Sequence, residues 1–202
     1  MGIYSLKPAF RRALSPLARL MIRAGVSADA ITASGLVFAA LAGLGVWLGR
    51  EAGGWILLVP VGAFLRTAAN ALDGMVATTT GTARPLGDVF NEVADRVGDV
   101  AVLLPFALVA DVNDVLVAGT IAATLVTSYL GMAVKAAGGP RVYTGIMAKP
   151  DRMFVVGVAA IVGFVFDDPG AAFTAALWII LSGVGITFLL RVAEAKRRLA
   201  RT

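Results

Sequence analysis

The run AITASGLVFAALAGLGVWLG, residues 30–49, carries no charged side chain and decides what kind of protein this is. At about 1.5 Å per residue, a helix of that length crosses a hydrocarbon core of about 30 Å. Residues 115–134 and 169–190 repeat the signal. Over 202 residues, apolar side chains make up 58% and charged ones 15%. A soluble domain holds roughly half and a quarter. The expectation is an all-α integral membrane protein with six transmembrane helices, preceded by an N-terminal amphipathic interfacial helix.

Ahead of the first run, Lys7, Arg11, Ser15, Arg19 and Arg23 recur every four residues beside an apolar stripe of Leu6, Phe10, Leu14, Leu17 and Met21. Such a helix lies in the membrane interface, and Pro16 is expected to kink it. No signal peptide is expected, because no continuous apolar stretch precedes a small-residue cleavage site. Gly25 ends this helix, and Ser27 or Asp29 caps the next. Spans are expected at 30–48, 55–76, 86–110, 115–134 and 153–166, with a sixth ending near Arg191. The layout is a juxtamembrane helix over 1–25, a six-helix transmembrane domain over 26–195 and a basic tail over 196–202.

Charge distribution orients the chain. The amino-terminal segment, the 78–85 turn, the 135–152 loop and the tail hold nearly all flanking Lys and Arg, whereas Asp111, Asp114, Asp167 and Asp168 fall on the other side. By the positive-inside rule both termini are cytosolic, in a multi-pass protein of the cell (inner) membrane. The net charge of +5 does not signal nucleic acid, since the basic residues gather where spans end. Cysteine and histidine are both absent. That excludes disulfides, thiolate ligands and imidazole bases, so any chemistry runs on carboxylates, amides, hydroxyls, Lys and Arg.

Polar residues interrupt the second and third spans. Arg66, Asn70 and Asp73 share one helix face, as do Asp88, Asn91, Glu92, Asp95 and Asp99. An ionised group at bilayer depth costs roughly 2.5–3.5 kcal/mol, so these stripes line protein interior or a wet cavity. The acids Asp73 and Asp95, with the amide oxygens of Asn70 and Asn91, suit a hard cation, Mg²⁺ or Mn²⁺. The alternative is an ion-pair network in which Arg66 and Arg96 merely neutralise the acids. Gly74, beside Asp73 with Ala77 one turn on, leaves a bare patch that a flat base or a pyrophosphate can approach, or against which another helix packs.

Residues 70–95 resemble the signature D-x-x-D-G-x-x-A-R-x8-G-x-x-x-D-x-x-x-D of the CDP-alcohol phosphotransferases. The match runs through Asn70, Asp73, Gly74, Ala77, Thr78, Gly87, Asn91 and Asp95 at every spacing. Asn70 and Asn91 stand at the first and third acids, and Thr78 at the arginine. The amphipathic segment before Gly25-Val26-Ser27 and the loop from Met147 to Arg152 are similar as well.

The resemblance implies transfer of a phosphatidyl group from a CDP-linked lipid, such as CDP-diacylglycerol, to an alcohol with release of CMP, in phospholipid biosynthesis by a homodimer. It implies that Asp73 ligates metal, that Asp95 is a ligand or the base, and that Gly74, Ala77, Thr78 and Gly87 meet the CDP moiety. The two Asn residues keep an oxygen donor but lose two charges, which Glu92 partly replaces, so one ion or two are expected. Arg84 or Arg66 stands in for the arginine missing at Thr78. Lys135, Arg141, Lys149 and Arg152 form a cytosolic cluster for an anionic acceptor, such as a phosphorylated polyol, or simply reflect topology. The competing readings are an inactive relative that binds nucleotide-lipid, and a small ion-coupled transporter.

Overall fold

In the computed structural model, residues 7–50 and 53–199 are described. They form α1 (Lys7–Arg23), α2 (Ala28–Gly49), α3 (Leu58–Thr80), α4 (Pro85–Leu103), α5 (Asp114–Ala136), α6 (Lys149–Phe166) and α7 (Pro169–Leu199), with 3-10 turns at Gly53–Leu57 and Leu104–Leu108. The expectations that touch Leu6, Glu51 and Arg201 lie outside the described residues.

Local chemistry sets the boundaries. Gly25, at φ +70°, stops α1 in the left-handed conformation that glycine adopts freely. Ser27 then caps α2 by accepting the Ala30 N–H at 3.2 Å. Gly81 ends α3, and Pro85 opens α4 at a first-turn position where no N–H is needed. Asp151 accepts the Ala148 N–H at 2.8 Å and, with Pro150, starts α6 at Lys149. Two expectations change. The third apolar segment breaks at Leu103, where Pro105 turns the chain into a 3-10 segment. The last helix runs on to Leu199, so Lys196, Arg197 and Arg198 continue α7, with Glu194 paired to Arg198 one turn away.

The helices pack closely because their contact faces are small. A Cβ on Gly62 would sit 2.7 Å from the Ala42 backbone nitrogen, and one on Gly43 would sit 2.3 Å from the Ala101 carbonyl oxygen. Backbones of α2, α3 and α4 therefore touch, as small residues allow in membrane bundles. Helix α3 also packs on α6, and α5 and α6 on α7. Phe106 and Phe173 stack at 4.2 Å in the core.

The outside is apolar too: Val37, Phe64, Phe154, Trp178 and Leu189 are exposed, as they would be against lipid. Ala28–Gly49, Gly53–Thr80, Asp114–Ala136 and Pro169–Leu199 are each long and apolar enough to cross a membrane. This is an all-helical membrane protein. The charges in α4 and in the first turn of α6 set those helices apart. With the polar half of α3, they come together at one end of the bundle.

Candidate active site

Asn70 and Asp73 project from α3, Asp95 from α4 and Lys149 from α6. The Asn70 amide donates to Asp95 Oδ1 at 3.0 Å, and the Lys149 ammonium donates to the same oxygen. Asp73 is buried; its Oδ2 accepts from the Thr32 hydroxyl at 2.8 Å and its Oδ1 from the Gly74 N–H at 2.6 Å. Asp95 and Lys149 both lie within electrostatic range of Asp73. Asn91 sits one turn before Asp95, and its Oδ1 is buried with no hydrogen-bond partner. Gly74 is exposed, and a Cβ built there would meet nothing within 4 Å. The protein thus leaves the space beside Asp73 open.

Beneath this lies a pin of which the sequence suggested only the Arg66 half, as an ion pair with the acids of α4. Asp99 accepts from Arg66 at 3.0 Å on one oxygen and from Arg152 at 2.7 Å on the other. All three side chains are buried, and they join α3, α4 and α6. Arg66 also donates to the Asp95 carbonyl oxygen at 3.0 Å, tying the pin to the backbone of the residue it supports. Gly98 makes room for it, since a Cβ there would stand 2.6 Å from the Arg66 guanidinium. Arg66 and Arg152 therefore both spend a guanidinium contact on Asp99. Arg66, expected to cover for the arginine missing at Thr78, and Arg152, expected in the acceptor cluster, are both held by Asp99. The spacing of Asp99, four residues past Asp95, and the expected pairing of Arg66 with the acids hinted at part of this.

Around the rim, Glu92 pairs with Arg141 at 2.6 Å and Arg96 at 3.2 Å, so its carboxylate faces cations. Lys135 is exposed and approaches Asp88 at 3.9 Å. Arg191 of α7, expected only as the end of the sixth span, donates to the Thr127 and Thr144 carbonyls at 2.7 and 3.0 Å. Arg152, Arg141, Arg96 and Glu92 surround it electrostatically. Arg84 pairs with Asp29, beside Gly87. Thr78 turns its hydroxyl back to the Gly74 carbonyl at 2.7 Å, and Ala77 is half-buried.

Among the described residues no three acidic side chains gather as a metal-binding group. The donors are instead mixed. Carboxylates of Asp73 and Asp95, with the unpartnered Asn91 amide oxygen, form an oxygen-only set that fits Mg²⁺ or Mn²⁺. A carboxylate for proton transfer, a bare glycine and a surplus of cations on the rim suit a phosphorylated substrate.

No protein-family model matches the chain. It is 34% identical over 158 residues to the inner membrane protein YnbA of Escherichia coli, covering 78% of each. It is 32% identical over 203 residues to a phosphatidylinositol phosphate synthase of Streptomyces avermitilis, covering 95% of this chain and 81% of that one. The fold matches the Mycobacterium tuberculosis phosphatidylinositol phosphate synthase with CDP-DAG bound, at TM-score 0.70 and 21% identity over 91% of this chain and 94% of that one. A second structure of that enzyme is in complex with manganese and citrate. The chain belongs to the CDP-alcohol phosphotransferase family. It is a membrane transferase of the kind that moves a phosphatidyl group from a CDP-linked lipid to an alcohol. That sets aside the transporter.

Proposed function

We propose that this chain takes CDP-diacylglycerol as donor and a phosphorylated polyol of the inositol phosphate type as acceptor. The observation that carries the acceptor is the rim, where Arg141, Arg191 and Lys135 stand near the site, with Glu92 and Asp88 as the acids that pair with them among the described residues. The name of the Streptomyces relative points the same way.

Asp73, Asn91 and Asp95 are the ligands for a divalent ion, with Asn70 supporting them. A bound ion neutralises the donor's pyrophosphate and eases the departure of CMP. Asp95 accepts the proton of the attacking hydroxyl as the new oxygen–phosphorus bond forms and the bond to CMP breaks. Asn70 holds Asp95 in place from α3. Gly74 gives the nucleotide room beside Asp73, with Ala77, Thr78 and Gly87 along the same wall. The Arg66–Asp99–Arg152 pin keeps the three helices in register under the reacting groups.

The wider frame belongs to the same reading. Helices α2 to α7 are six spans of one catalytic domain, α1 lies in the interface, and the active site and both termini face the cytosol in the inner membrane. The working unit is a homodimer. Purified protein given CDP-diacylglycerol, Mn²⁺ and a panel of alcohols tests the substrate assignment. CMP release is expected with inositol phosphate and not with unphosphorylated inositol. Equal release with both, or release with neither, contradicts it.

A further inference from the structure

Asp95 is already compensated. One of its oxygens takes both the Asn70 amide and the Lys149 ammonium, and Arg96 lies 3.8 Å from the other. Lys149 does not arrive there by chance of a floppy chain. It is the first residue of α6, followed by Pro150 and anchored by the Asp151 contact with the Ala148 N–H. Its side chain is 15% exposed, and its charge acts on Asp73 and Asp99 as well.

Charge then limits what else the hollow can hold. Asp73 and Asp95 are acids with no arginine at hydrogen-bond distance among the described residues, and one of them carries Lys149. Asn70 and Asn91 bring oxygen but no charge, and Asn70 turns a donor rather than an acceptor toward Asp95. Two divalent ions placed beside two carboxylates and a fixed ammonium, one net negative charge in all, repel each other and the ammonium at low effective dielectric. A single ion on the Asp73 and Asn91 side leaves the hollow only mildly positive, ready for a pyrophosphate.

We propose that Lys149 is a tethered cation that takes the place of a second divalent ion, so that this chain works with one ion per site. The proposal rests on the reading of Asp73 and Asp95 as a metal site, and it assigns Lys149 to the metal side of the chemistry rather than to the acceptor cluster.

Ion counting tests it without turnover. Full-length protein in nanodiscs is titrated with Mn²⁺, with CDP present as the nucleotide probe, and free Mn²⁺ is read by electron paramagnetic resonance. Wild type and Lys149→Arg are expected to bind one ion per chain. Lys149→Met, with the neighbouring positive charge removed, is expected to bind that ion about tenfold more tightly or to admit a second one. A merely structural lysine predicts the opposite sign, weaker binding in Lys149→Met. Two ions in wild type, or unchanged or weaker binding in Lys149→Met, overturns the proposal. If Lys149→Met does not fold, Lys149→Gln carries the same expectation and the wild-type count stands alone as a test. No Mn²⁺ bound by any of these proteins overturns the metal site itself, and is told apart from a count of two.

Discussion

Arg66, on α3, donates to Asp99, on α4, across 3.0 Å, and both side chains are 2% exposed. A carboxylate shared by two buried guanidiniums is compensated only while it stays ionised and in place. Asp99→Ala leaves Arg66 and Arg152 without their counter-charge, at a cost of about 3–5 kcal/mol. Thermal unfolding of the purified protein in detergent is expected to show a large drop in Tm. An unchanged Tm would mean that the pin does not hold α3, α4 and α6 together.

Two glycines should respond in opposite ways to the same added methyl. Gly98→Ala pushes a Cβ to 2.6 Å from the Arg66 guanidinium, whereas Gly74→Ala meets nothing within 4 Å. Gly98→Ala is therefore expected to lower Tm. Gly74→Ala keeps Tm or raises it slightly, since alanine is favoured over glycine in a helix by about 1 kcal/mol, yet raises KM for the CDP-linked donor. Melting curves and donor titrations on both variants check the contrast; equal KM values for wild type and Gly74→Ala would remove the nucleotide from that patch.

Much of this was legible in the residues. Charge-free runs located α2, α5 and the apolar part of α7, because their length and composition leave a water-soluble alternative no way to bury them. The stripe from Asn70 to Asp95 marked polar groups that do meet across α3 and α4, because each polar group at that depth must be matched by another. What the stripe did not reveal was pairing with helices far away in sequence. Asp99 follows the same spacing as Asp95, but its partner Arg152 lies 53 residues away in sequence. Arg191 looked like the end of a span, and only the folded chain brings α7 back beside Arg141. Thr32, the hydroxyl on Asp73, sits in an apolar run where nothing local marks it.

Arg141 and Arg191 are assigned to the acceptor's phosphate. Replacing either by Gln removes one charge-assisted hydrogen bond, worth about 1.5–3 kcal/mol, or roughly 10- to 100-fold in affinity. Steady-state kinetics should show KM for the phosphorylated acceptor rising by that factor while KM for the donor holds. A matched rise in both would place these arginines elsewhere in the cycle.

The lack of native cysteine makes the topology directly testable. With an impermeant maleimide on intact cells, Asp168→Cys, in the turn between α6 and α7, is expected to react. Tyr143→Cys, in the loop between α5 and α6, is expected to react only after permeabilisation. Reversed labelling would invert the orientation drawn from the basic loops.

The transfer chemistry stands or falls with Asp95. In Asp95→Asn the side chain keeps its size and an oxygen but cannot take a proton. The decisive measurement is CMP release at saturating donor and acceptor by this variant, shown to retain wild-type Tm. A loss of about 10²- to 10⁴-fold is the predicted result; turnover within a few-fold of wild type would contradict the placement of the reaction at the meeting point of α3, α4 and α6.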